Sequence, residues 1–498
     1  MRLFLAAVLM LAATGLVSPA SAHLELAVTI PTTLGDTTET FWLQIPDGYR
    51  PDQASPLLIG WHQMGGDEWD MRRASDFDSI ANARVWIAAA PLGSSRTNWT
   101  NHATQSHVVD VIRWIEERYD VDESRIYMVG ASMGGAAGMV FSNNHLDPEG
   151  PMIAAAASIS GIQDCERRFH EQGINHSMIA AFGGTPEEVP FTYHRNSAIF
   201  FADSTRSMHV NASHLPLFLT FGSGQSDSIW RAHAEDLYAV MAGCADTIVI
   251  RESGFAGHGW ECAEAGRICD FLERYRVGRA PARISVNADE EGRWYWATIS
   301  MREPDAFARF QGEVDVAGRR VRFTMLRNVR SSRLDLAPLG FPLDGDRFEC
   351  DWNVAEGGSA ELAFAGVPRC PSAVMRDDLP YAQWAWDDAG RVLTIGGDGD
   401  HRYAILFDPA GAPGEPGPEA PLKCWFAGGD AVRYRLPAPG DLRFALHDPI
   451  GRRVRSGFIP SHEEGEIPLL RGLPSGVYFL EMRLGDRVPA VRKLVIAR

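Results

Sequence analysis

The stretch Ile126-Tyr127-Met128-Val129-Gly130-Ala131-Ser132-Met133-Gly134-Gly135, running on into Ala136-Ala137-Gly138-Met139-Val140-Phe141, constrains the fold of this chain more than any other. Its apolar, partly β-branched first half predicts a buried strand, and the small residues after it predict a helix packed close behind. Between them Gly-Ala-Ser-Met-Gly leaves room only for a sharp turn with Ser132 at the tip, because larger flanking residues would keep strand and helix apart. A serine so placed projects away from both elements. The helix N-terminus behind it aims N–H groups at any oxyanion formed on its hydroxyl.

The rest of the chain falls into regions of different periodicity. Residues 1–22 read as an export signal: Arg2 is a short basic start, Leu3 to Val17 an apolar core, and Ala20-Ser21-Ala22 a cleavage signal before His23. From 23 to 278 strands and helices alternate, which predicts an α/β layer with a mostly parallel sheet. Expected strands are Leu26–Ile30, Phe41–Ile45, Leu57–Trp61, Val85–Ala89, Ala155–Ile159, Leu217–Phe221 and Thr247–Ile250. Expected helices are Val108–Tyr119, apolar at 108, 111, 112 and 115, then Ile229–Met241 and Gly266–Tyr275. Past Gly278-Arg279-Ala280-Pro281 the helical period fades, and short alternating runs over 282–407 predict a β-sandwich. A Pro/Gly-rich linker, 408–424, leads to a small all-β module over 425–498, with Asp448 to Arg452 as a hairpin turn.

The net charge of −17 argues against a nucleic-acid partner, which needs clustered Lys and Arg. No apolar run after residue 22 reaches the roughly 20 residues of a spanning helix, so no membrane span is expected. Seven cysteines in an exported chain predict disulfides, with Cys350–Cys370 favoured and Cys244 paired with Cys262 or Cys269. Neither C-x-x-C nor H-E-x-x-H occurs, so no metal or other cofactor is expected.

A nucleophilic serine needs a base, and the base needs an orienting carboxylate. In an open α/β sheet both belong on loops at the carboxyl edge of the strands. Asp227 follows the Leu217 strand and His258 lies in Gly257-His258-Gly259-Trp260 after the next one, giving the order Ser, Asp, His. Asp164 and Asp203 compete for the acid's place, and His209 and His214 for the base's, but both histidines precede the Leu217 strand. Two backbone donors are expected for the oxyanion: the amide of Met133, and one from the loop Trp61-His62-Gln63-Met64-Gly65-Gly66, with Met64 preferred over Gln63. Gln63, Trp99 and Trp260, on loops that converge on the same edge, are expected to contact substrate.

Residues 1–280 resemble the secreted esterase group of α/β-hydrolases that holds polyhydroxybutyrate depolymerases and feruloyl or acetylxylan esterases. The resemblance rests on the His62–Gly66 loop, on Val121 to Tyr127 leading into Gly130–Gly135, and on Gly257–Trp260. It implies a serine carboxylic-ester hydrolase, secreted or at the cell surface, acting through an acyl-enzyme on esters of plant polysaccharide or polyester. Relatives usually carry His-Gly where this chain has His62-Gln63. The last 60 residues resemble a type IX secretion sorting domain or a related immunoglobulin-like module, through Leu446 to Val454 and Leu473 to Leu480. That implies a bacterial source and the secretion machinery as a partner. The competing readings are a prolyl-oligopeptidase-like peptidase and a non-catalytic polysaccharide-binding surface protein.

Overall fold

The computed structural model describes residues 23–407 except 36, 174 and 355–358, and beyond them residues 423–426, 432–448, 452–467, 472–474, 476–484 and 490–496. The expected signal segment and residues 408–422 of the expected linker lie outside the described residues.

The N-terminal part is a mixed α/β structure. Its strands are β1 (Leu24–Pro31), β2 (Thr38–Ile45), β3 (Ser55–Trp61), β4 (Ile87–Pro91), β5 (Val121–Ala131), β6 (Ala155–Ile159), β7 (Leu217–Phe221) and β8 (Ile248–Glu252). They form one eight-stranded sheet in the order β1-β2-β4-β3-β5-β6-β7-β8. β1 and β2 run antiparallel to their neighbours, and β3 to β8 pair in parallel. The helices are α1 (Asp70–Ala74), α2 (Phe77–Ala83), α3 (His102–Glu116), α4 (Ala137–Asn144), α5 (Cys165–Gln172), α6 (His176–Phe182), α7 (Pro190–Arg195), α8 (Ser228–Met241) and α9 (Ala265–Leu272).

Strand residues alternate between two cores. Leu57, Ile59, Ile126, Met128, Leu217 and Leu219 pack with α3, α4 and α8 on one face. Leu58, Tyr127, Val129, Ala155, Ala157 and Phe218 pack with α1, α2 and α9 on the other. A strand covered on both faces has no polar side to show, which is why β3, β4, β6 and β7 are buried throughout. Strand β4 starts two residues later than its apolar run, because Val85 adopts a left-handed φ of 59° in the turn before it.

The segment between β6 and β7 carries α5, α6 and α7, which hydrophobic period alone does not reveal. Their apolar residues Cys165, Phe169, Met178, Phe182 and Tyr193 form a separate cluster with Trp99, Met133 and Ile162. That cluster lies beside Ser132, the residue preceding Met133.

Residues 283–406 form a six-stranded and a seven-stranded sheet around a large common core. This region shares one compact unit, Met1–Asp408, with the α/β layer. A polar seam joins the two. Asn211 Nδ2 donates to Asn287 O (3.0 Å), Asn287 N returns a hydrogen bond to Asn211 Oδ1 (2.7 Å), and Arg195 Nε donates to the buried Asp289 (2.6 Å). The second unit, Pro409–Arg498, contains a five-stranded sheet built on Val432–His447 and Gly476–Leu484. No helix among the described residues is long and apolar enough to cross a membrane.

The expected disulfides are absent from the described residues. Cys165, Cys244, Cys262, Cys269 and Cys350 are thiols. Sheet geometry gives the reason. Cys262 and Cys269 point into the α9 face, whereas Cys244 follows α8 on the opposite face and contacts Met241. Cys350 points inward from its strand into the core between the two sheets, while Cys370 lies exposed.

Candidate active site

Ser132 directly follows β5 and opens a 3-10 turn, Ser132–Ala136, that continues into α4. Its φ is +54°, a left-handed conformation costly for a residue with a Cβ and held here by its surroundings. The flanking glycines make the turn feasible. A Cβ on Gly134 would sit 2.5 Å from Trp61 O and 2.6 Å from His62 O, and one on Gly130 would collide with Gly134 O. The elbow therefore packs directly on the end of β3.

Three side chains from three separate loops meet at this tip. Ser132 Oγ lies 2.8 Å from His258 Nε2, and His258 Nδ1 lies 2.6 Å from Asp227 Oδ1. Asp227 is fully buried, and its second oxygen accepts from Gly222 N (2.6 Å) and Ser160 Oγ (2.8 Å). A buried carboxylate with three donors is held rigidly and is satisfied as an anion. Asp227 also occupies the N-cap position of α8 but makes no cap bond, its oxygens being committed elsewhere. Of the competing acids, Asp164 caps α5 through Arg167 N (3.0 Å) and Asp203 caps the turn at Ser204. His209 is bound to Ser207 and His214 to Asp246, away from the tip.

The loop after β3 forms a tight turn. Gly66 N donates to Gln63 O (2.9 Å), and Gly65 supplies the φ of +81° that the third position of a type II turn requires. His62 is buried beneath it, bound to Gln63 O and Leu92 O. The Gln63 amide donates to Asp70 Oδ2 (3.0 Å), whereas the Met64 amide has no partner among the described residues. Met64 is 49% exposed, whereas Met133 is buried in the α5–α7 cluster. The Gln63 side chain reaches Gly259, the residue after His258. It fits because Gly259 has no Cβ, which would meet Gln63 Oε1, and adopts φ +61°. This contact is what glutamine adds at the position where the resemblance leads one to expect glycine.

The two tryptophans singled out from sequence are both buried. Trp260 Nε1 donates to Asp70 Oδ2 (3.0 Å), and its ring packs edge-on against Phe77. It anchors the histidine loop beneath the sheet edge and offers no face for stacking. Trp99 lies in the α5–α7 cluster with its Nε1 donating to Ser177 Oγ (2.9 Å). Asp70 thus ties the Gln63 turn to the His258 loop through one oxygen.

Four groups at the site carry no signal in the sequence. Ser160, Asp70, Trp230 and Cys262 belong to no motif, and only the topology brings them here. Trp230 lies against His258 with ring centroids 3.9 Å apart. Cys262 Sγ is 3.1 Å from Ser160 Oγ, and burial pushes its thiol up to about 11, so it stays protonated behind the carboxylate.

No protein-family model matches the sequence. Over 119 residues the chain is 27% identical to the bifunctional acetylxylan esterase/xylanase XynS20E of Neocallimastix patriciarum, in a match covering 23% of this chain and 17% of that protein. It therefore spans about a sixth of the length of the curated relative it matches. Similar solved structures include a ferulic acid esterase, with TM-score 0.40 and 13% identity over 51% of this chain and 98% of the other. An S-formylglutathione hydrolase from Agrobacterium tumefaciens gives TM-score 0.41 and 14% identity over 52% and 98%. The acylaminoacyl peptidase of Pyrococcus horikoshii gives TM-score 0.40 and 13% identity over 52% and 42%.

Proposed function

We propose that this chain is a serine carboxylic-ester hydrolase with an α/β-hydrolase domain. The observation that carries the reading is the unbroken hydrogen-bonded relay Ser132–His258–Asp227 at a left-handed elbow. Ser132 Oγ attacks the ester carbonyl carbon as its proton passes to His258 Nε2, while Asp227 holds Nδ1–H and balances the imidazolium. The tetrahedral oxyanion accepts from the Met133 and Met64 amides. Its collapse expels the alkoxide, which takes the proton from Nε2 and leaves an acyl-serine. Water attacks that acyl group with His258 again as base, releasing the acid and restoring Ser132. The chemistry is complete with the chain's own residues.

Plant-polysaccharide esters lead the substrate classes, supported by the motif resemblance and by the similarity to an acetylxylan esterase/xylanase; polyester is the other class. Export rests on the pattern of residues 1–22, residues 282–407 are read as a β-sandwich, and residues 425–498 as a sorting-like immunoglobulin-type module. The test is turnover of 4-nitrophenyl acetate and butyrate by the wild type and by Ser132→Ala. Hydrolysis abolished in a folded variant supports the reading. Retained hydrolysis, or cleavage of peptide amides in preference to esters, overturns it.

A further inference from the structure

Beside the relay sits a cation held only by one long ion pair, Arg168 Nη1 to Glu171 Oε2 at 3.8 Å. Arg168, on α5, is only 9% exposed, yet its guanidinium makes no hydrogen bond among the described residues. The guanidinium carbon lies 5.2 Å over the Trp230 ring, whose other neighbour is the His258 imidazole at 3.9 Å. Two ring contacts therefore connect Arg168 to the base. The nearest carboxylate, Glu171, is 3.8 Å away and engaged elsewhere: it accepts from Arg167 Nε (2.8 Å) and lies 3.2 Å from His233 Nε2. Adjacent arginines are paired, Arg167 with Glu171 and Asp236, Arg231 with Glu252. The Trp230 Nε1–H is a second donor buried there without an acceptor.

A largely buried guanidinium without a short hydrogen bond is costly, and burial already weakens its hold on its proton. Its planar fork matches the two oxygens of a carboxylate, which accept two parallel charge-assisted hydrogen bonds. α5 begins just past Ile162, whose N–H donates to Ser132 O, so the helix borders the reacting serine.

We propose that the site takes esters bearing a carboxylate and that Arg168 binds that carboxylate, a specificity that rests on the ester-hydrolase reading above. The charge sits on the acyl half or on the alcohol half, and paired substrates separate the two. For the acyl half, kcat/KM is compared between 4-nitrophenyl hemisuccinate and 4-nitrophenyl butyrate. For the alcohol half, it is compared between 3-acetoxybenzoate and phenyl acetate. Arg168→Met keeps an aliphatic stem over Trp230, and Arg168→Lys keeps the charge without the fork. The expected result is a charged-to-neutral ratio that falls roughly tenfold or more in Arg168→Met for one pair, with a smaller fall in Arg168→Lys. Arg168→Lys alone decides if the methionine variant does not fold. Ratios equal to the wild type's in both pairs overturn the proposal, including the case where all four rates fall together because Arg168 merely braces Trp230. Butyrate hydrolysis that depends on Ser132 tests the underlying function separately.

Discussion

Replacing Ser160 with alanine removes one hydrogen bond from Asp227 and the weaker one shared with Cys262 Sγ. Ser160 is fully buried at the end of β6, and its Oγ donates to Asp227 Oδ2 at 2.8 Å. Its φ of +47° is as unfavourable for alanine as for serine, so Ser160→Ala leaves the backbone term unchanged, whereas Ser160→Gly would add relief of strain. A hydrogen bond to a charged group contributes about 1.5–3 kcal/mol. The Gly222 amide still holds the same oxygen at 2.6 Å, which favours the lower end. The urea unfolding free energy should fall by about 1.5 kcal/mol. If the same loss is felt when the imidazolium forms, kcat/KM on 4-nitrophenyl butyrate should drop roughly tenfold, since 1.36 kcal/mol is one decade in rate. An unchanged urea midpoint together with unchanged kcat/KM refutes the idea that this serine holds the carboxylate.

Other perturbations test neighbouring parts. Asp227→Asn should leave the fold intact and lower kcat by about 10⁴, as expected when the histidine loses its orienting anion; a loss under tenfold contradicts the relay. Gly134→Ala forces a Cβ against the carbonyls of Trp61 and His62, which should cost about 1–3 kcal/mol and most of the activity, while Gly278→Ala, with open space around it, should change neither. His145 is half-buried and stacked on Phe141, and the loss of water around its ring lowers its pKa to about 4. The unfolded chain therefore takes up a proton near pH 6.5 that the folded one refuses, so this histidine costs stability increasingly as pH falls from about 6.5 to 4. The stability of His145→Gln relative to wild type, read from urea midpoints, should improve between pH 7 and pH 5. A thiol reagent should reach Cys244 in the native protein but Cys165, Cys262, Cys269 and Cys350 only on unfolding.

What was legible in the sequence follows from which forces act locally. Ala155–Ile159 and Leu217–Phe221 are buried on both faces, so their apolar runs coincide with the observed strands residue for residue. α5 was invisible for the opposite reason: Cys-Glu-Arg-Arg-Phe-His-Glu-Gln is mostly polar, and it is helical because Cys165 and Phe169 pack into a cluster assembled from distant segments. Chain order sufficed to bring Ser132, Asp227 and His258 to mind together, since strand sequence fixes which loops share an edge. Ser160 and Trp230 had no such signature, because their contacts arise from neighbouring loops after folding. Cysteine count invites pairing in a chain whose first residues read as an export signal, but the sheet sends Cys244 and Cys262 to opposite faces.

The central claim is that Ser132 is an activated nucleophile, and covalent capture tests it most directly. The intact protein is treated with a fluorophosphonate ester and its mass and tryptic peptides are measured. One adduct per chain, on the peptide containing Ser132 and lost in His258→Ala, is the predicted result. An unmodified protein, or an adduct on a different serine, contradicts the account.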